Sequence, residues 1–158
     1  MSSRIAAVVL AAGTVDAERL RELVGRVCLA PVERVAVVLA SDFTSALQGL
    51  PVHIEANQIS PIRAAVAWAL RTGCDGLLLI EGDRRISSSH LERLLAAYRG
   101  HHDLVGTRGA HGLEVPAIFH GSHYGRLAAL RDGHGAHVIL NTSPGVTAVD
   151  AHDFARAA

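Results

Sequence analysis

At 158 residues the chain is long enough for one sizeable core and too short for two ordinary ones, and because 49% of the residues are hydrophobic but only 4% aromatic, that core must be aliphatic. Fifteen basic residues balance fifteen acidic ones, and every basic residue is arginine, with no lysine anywhere in the sequence. A balanced charge gives no reason to expect a nucleic acid or a membrane held by long-range electrostatics, so neither partner is expected.

Along the chain, Met1-Ser2-Ser3-Arg4 leads into an apolar run from Ile5 to Ala12. The run is too short to span a bilayer and, followed by Gly13 and an acidic helix, is unlike a cleaved signal. Ile5 to Leu10 lacks alternation, as expected of a strand buried on both faces, and Val35–Leu39 and Leu77–Ile80 read the same way. Between these strands, Leu20, Leu23, Val24 and Val27 repeat at helical spacing, as do Ile62, Ala65, Val66, Ala69 and Leu70. A further helix is predicted from Ser88 to Tyr98, capped by Ser87 or Ser88, with Leu91, Leu94 and Leu95 as its buried stripe.

Strand and helix in alternation predict an α/β fold with a mostly parallel sheet covered by helices. After Gly100, histidine and glycine become frequent. Val115-Pro-Ala-Ile-Phe119 reads as a short strand, with Pro116 favouring an edge position or a strand start. Two amphipathic segments follow, Arg126 to Leu130 and Ala136 to Leu140, then a last strand from Val146 to Val149. Trp68 and Phe119 are the bulky members of the expected core. Cys28 and Cys74 have no C-x-x-C pairing and read as small buried hydrophobes in a reducing, cytoplasmic compartment. With no repeat or linker, residues 1–158 are expected to form a single domain.

Ligands of open α/β sheets collect at the carboxyl ends of the strands. The segments there are Leu10-Ala11-Ala12-Gly13, Ser41-Asp42, Asn57 and Glu81-Gly82-Asp83. Asp83, beside a glycine at the end of a buried strand, is placed to hold Mg2+; equally, it is placed to cap the helix near Ser87 or to pair with Arg84 or Arg85. The small residues after Leu10 let the main chain approach a base or a phosphate, and they serve a tight turn equally well. His101-His102, His120-x-x-His123 and His134-x-x-His137 have spacings that can ligate zinc or simply decorate solvated loops. No nucleophile elbow, Walker loop or G-x-G-x-x-G is present.

Together these segments resemble the molybdenum-cofactor nucleotidyltransferases, the MobA-like and MocA-like branch of the GT-A-type NTP transferases. The resemblance rests on Val8-Val-Leu-Ala-Ala-Gly13, on Asn57 with Ser60-Pro-Ile-Arg-Ala-Ala65, and on Leu77-Leu-Leu-Ile-Glu-Gly-Asp83. It extends to Gly112-Leu-Glu-Val-Pro-Ala-Ile-Phe119 and Gly133-His-Gly-Ala-His137. It implies a three-layer α/β/α fold of the nucleotide-diphospho-sugar transferase type. It also implies transfer of a nucleoside monophosphate from CTP or GTP to a phosphorylated acceptor such as molybdopterin. In this reading Asp83 is the catalytic, Mg2+-holding carboxylate, and Leu10, Ala11, Ala12, Gly13, Asn57 and Ser60 contact the nucleotide.

The sequence also departs from that family. Gly13 is followed directly by Thr-Val-Asp-Ala-Glu18 rather than by a loop carrying the arginine and lysine that grip a triphosphate. Arg19 or Arg21 are the candidate replacements, and guanidinium differs from ammonium in reach and geometry. His134 and His137 stand where the family has aspartate and arginine. Such losses from a phosphoryl-transfer site predict weak catalysis. They leave open a non-catalytic nucleotide-binding or interaction module, in which Arg84 and Arg85 pair with Asp16 and Glu18.

Overall fold

Seven residues from Ile5 to Ala11 form strand β1, and their side chains alternate between two separate apolar cores. Ile5, Ala7, Val9 and Ala11 face one core and Ala6, Val8 and Leu10 the other, which is why the run carries no polar alternation. The structure is a computed structural model that describes residues 4–11, 16–40, 44–100, 103–131 and 135–150. Ala12, Gly13, Ser41, Asp42, His101, His102 and His134, singled out above, lie outside the described residues.

Helix α1, Ala17–Leu29, follows, and the Asp16 side chain caps it by accepting from the Glu18 and Arg19 amides. Its buried stripe is Leu20, Leu23, Val24 and Val27, as the spacing predicts. Strands β2 (Arg34–Leu39) and β3 (His53–Glu55) lead to helix α2, Pro61–Thr72. Proline in its first turn and left-handed Gly73 at its end fix the bounds of α2. Leu70, expected in its buried stripe, is instead 63% exposed, because Trp68 and Ala69 fill the inward positions of that turn.

Strand β4 (Gly76–Glu81) precedes helix α3 (Ser88–Ala97), which Ser87 caps through a hydrogen bond from the His90 amide at 3.1 Å. Strand β5 (Leu104–Gly109), not expected from the sequence, and strand β6 (Gly112–His120) form a hairpin. Short helices α4 (Tyr124–Ala128) and α5 (His137–Thr142) and strand β7 (Thr147–Asp150) complete the described chain.

The sheet order is β3-β2-β1-β4-β6-β5-β7. Strands β1 to β4 pair in parallel, β6 runs against both β4 and β5, and β7 is parallel to β5. The sheet is therefore mostly parallel. Residues of α1 and α3 cover one face and residues of α2, α4 and α5 the other, giving three layers.

Pro116 corrects the expectation of an edge position or strand start, since β6 lies inside the sheet between β4 and β5. The register shifts there: Val105 pairs with Ile118 but Thr107 with Glu114, so Val115 to Ala117 span the interval that Gly106 alone spans on β5. At such a bulge no ladder hydrogen bond is asked of the proline nitrogen. Thr107 lies fully buried beside the bulge, donating to the Pro116 carbonyl at 2.7 Å, with the Nε2 of buried His90 at 2.9 Å. At the opposite end of β4, the Tyr98 and Tyr124 hydroxyls donate to the carbonyls of Asp75 and Cys74. Among the described residues no helix is long and apolar enough to cross a membrane.

Candidate functional site

Neighbouring strands β1 and β4 run in parallel, with Leu10 opposite Glu81. The chain leaves β1 toward β2 and leaves β4 toward β5, so the loops diverge above this pair and open a crevice at its carboxyl end. Gly82 makes the close approach possible. Its amide donates to the Leu10 carbonyl at 2.8 Å, and a Cβ there would lie 3.2 Å from that oxygen and 3.3 Å from Leu20. Asp83 follows, solvent-exposed, in a turn closed by the Arg84 amide on the Glu81 carbonyl at 3.2 Å.

A cleft of about 300 Å³ lies beside it. One wall is α1, through Arg19, Glu22, Leu23 and Arg26, and the other is Gly82 to Arg85. Arg26 ties the two walls together by donating to the Ile86 carbonyl at 3.2 Å. Arg84 turns its guanidinium to carboxylates outside the cleft, 3.2 Å from Glu81 and 3.9 Å from Glu114. Glu114 in turn lies across Gly109, where a Cβ would come within 2.6 Å of its carboxyl carbon.

Several alternatives left open by the sequence separate here. Ser87 caps α3, so Asp83 does not. Asp16 is engaged as the cap of α1 and Arg84 with Glu81 and Glu114, so the pairing of Asp16 with Arg84 is not formed. Arg21 is bound to the Ala46 and Gln48 carbonyls at 3.2 and 2.7 Å, whereas Arg19 lines the cleft. Among the described residues, no side-chain hydrogen bond or ion pair joins Arg19, Glu22 and Asp83, although all three face the same space. An exposed carboxylate with open volume before it fits a divalent cation that keeps several waters and takes further oxygens from phosphates.

The other expected residues fall in different places. Leu10 and Ala11 end β1 beside Gly82, and their carbonyls are taken by the Gly82 and Ala40 amides. Asn57, exposed and left-handed (φ 58°), follows β3, and the next amide, of Gln58, donates to the Leu39 carbonyl at 2.9 Å. Ser60 precedes α2 without making a side-chain cap. Both share the sheet edge with Asp83, but β3 lies three strands from β4, roughly 14 Å at the usual spacing. Neither lines the α1 cleft. Glu22 and Arg26 were not singled out from the sequence, although their spacing from Arg19 puts all three on one helix stripe.

The histidine pairs serve local structure where they are described. His120 Nδ1 accepts from the Ser122 amide at 3.1 Å, and His123 lies 3.5 Å from the Arg126 guanidinium. Among the described residues no group of three or more His, Cys, Asp or Glu side chains is placed to hold a metal ion.

No protein-family model matches the chain, and no curated protein matches its sequence. Solved structures do match its fold. Rv0371c from Mycobacterium tuberculosis H37Rv, in a complex with manganese, is 20% identical with a TM-score of 0.76, over 94% of this chain and 88% of that one. A nucleotidyl transferase from Methanothermobacter thermautotroptrophicus is 22% identical with a TM-score of 0.73, over 96% and 88%. A cytidylyltransferase from Leptospira borgpetersenii is 11% identical with a TM-score of 0.70, over 94% and 76%. The chain thus has the three-layer, mostly parallel α/β fold of these nucleotidyl- and cytidylyltransferases.

Proposed function

We propose that residues 1–158 form one transferase domain that binds a nucleoside triphosphate, CTP or GTP, with a divalent cation at Asp83. In this reading it passes the nucleoside monophosphate slowly to a phosphorylated acceptor of the molybdopterin kind. The observation that carries the reading is the Asp83 carboxylate, exposed at the end of β4 and facing open volume at the diverging β1 and β4 loops. The manganese complex of a protein with the same fold supports use of a divalent ion, with Mg2+ as the expected one.

In the reaction, an oxygen of the acceptor phosphate bonds to the α-phosphorus while the bond to the β-phosphate oxygen breaks and pyrophosphate leaves. The bound cation would offset charge developing on the leaving group. Asp83 holds that cation in place, Arg19 faces the same cleft as a second source of positive charge, and the main chain from Leu10 to Gly13, with Asn57 and Ser60, orients the nucleotide. The lysine with which the resembling family grips the triphosphate is missing from this chain, and a cation lost from a phosphoryl-transfer site costs on the order of a hundredfold in rate. Slow turnover follows.

Arg84, held by the Glu81 and Glu114 carboxylates at the rim of the cleft, favours a second reading as a non-catalytic nucleotide-binding or interaction module. Calorimetry with CTP and GTP in the presence of Mg2+ or Mn2+, together with an assay of pyrophosphate release, separates the two. The transferase reading expects saturable, metal-dependent heat and slow release, both abolished in Asp83→Ala. Nucleotide heat without turnover leaves the binding module, and no heat in the wild type removes nucleotide binding from both.

A further inference from the structure

The cleft beside Asp83 is longer than a metal-bound phosphate requires. Arg19, Glu22 with Leu23, and Arg26 occupy successive turns of α1 on its cleft-facing side, and seven residues of helix span about 10 Å. Asp83 and Arg85 stand on the opposite wall. Among the described residues, four of the fifteen basic residues of an electrically balanced chain therefore line one space of about 300 Å³, together with two carboxylates, Glu22 and Asp83. The charge of Arg84 is shared with Glu81 and Glu114, while Arg26 gives one donor to the Ile86 carbonyl and has others left.

Guanidinium groups match the oxygens of a phosphate in geometry as well as charge. Leu23 adds an apolar wall between the two arginine turns. We propose that the Arg19–Arg26 stripe of α1 is a second oxyanion subsite that takes a small phosphomonoester directly, without a metal ion. The subsite stands on the charge and shape of the cleft alone, so it and the transferase reading can fail separately.

The test is calorimetric titration of the full chain with phenyl phosphate in the presence of a chelator. Saturable binding is expected in the wild type, weakened roughly threefold in Arg19→Gln and roughly tenfold in Arg19→Gln/Arg26→Gln, as suits partly exposed charge pairs. Arg108→Gln, on the far side of the sheet in an exposed pair with Asp150, should bind like the wild type. Asp83→Asn removes a like charge from the cleft and should tighten phenyl phosphate a few-fold while abolishing metal-nucleotide heat. Absence of saturable binding in the wild type overturns the subsite, as does undiminished affinity in Arg19→Gln. If loss of the Ile86 contact unfolds the double variant, as thermal melting would report, Arg19→Gln alone decides.

Discussion

Glu55 on β3 receives two hydrogen bonds on one oxygen, from His53 at 3.0 Å and Arg71 at 2.7 Å, and these hold its carboxyl below the ordinary glutamate value of 4.5. A carboxyl depressed in the folded state contributes stability that is present above its unfolded value and lost as pH falls through its folded one. Melting temperature should therefore decline below about pH 4.5 more steeply in the wild type than in Glu55→Gln. The difference at neutral pH should be a few tenths of a kcal/mol, as befits a surface pair, and a pH series of thermal melts measures it. His53 also stacks on Trp68 with ring centroids 5.9 Å apart and 7° between planes, a contact no spacing in the sequence announces. At this scale the sequence marks a position more readily than it assigns the role of its side chain. Asp83 after a strand and a glycine drew notice at once, whereas the choice between Arg19 and Arg21 depended on carbonyls of a distant 3₁₀ turn that bind only Arg21.

Each element was legible to the extent that its own residues decided its burial. β1, β2 after Arg34 and β4 up to Ile80 are apolar because both faces are covered, and α1 and α3 carry their stripes and caps in plain order. β5, Leu-Val-Gly-Thr-Arg-Gly, was not legible. Gly106 stands alone opposite Val115 to Ala117 at the register shift, and Thr107 bonds His90 and Pro116, both features of tertiary origin. β3 is only three residues long, and its pairing with β2 decides it. Packing at the start of β4 gives a sharper test. A Cβ on Gly76 would sit 2.9 Å from the Tyr98 hydroxyl and 3.0 Å from the ring carbon bearing it, so Gly76→Ala must displace a buried tyrosine. Destabilisation of about 1–3 kcal/mol is expected in urea unfolding, with Gly76→Ala/Tyr98→Phe recovering part of it.

For the whole molecule, two apolar cores on either side of one sheet make stability a shared property of both halves. Phe119 is fully buried on β6, facing Leu104 of β5 and Leu77 of β4 across its two pairings. Phe119→Ala should cost about 3–5 kcal/mol in chemical denaturation, a large part of the margin of an ordinary domain. The site was less legible than the fold because it is assembled from α1, the β4 exit and β1, and only their carboxyl-end placement could be anticipated from order along the chain. The reversed strand has a consequence for synthesis. β4 ends at Glu81, yet its second neighbour is β6, which begins at Gly112, rather than β5, which comes first. While the chain emerges from the ribosome, the open edge of Leu77 to Leu79 must wait until its partners on β6, Ala117 to Phe119, have been made. The nascent protein is most exposed to wrong edge-to-edge association during that interval.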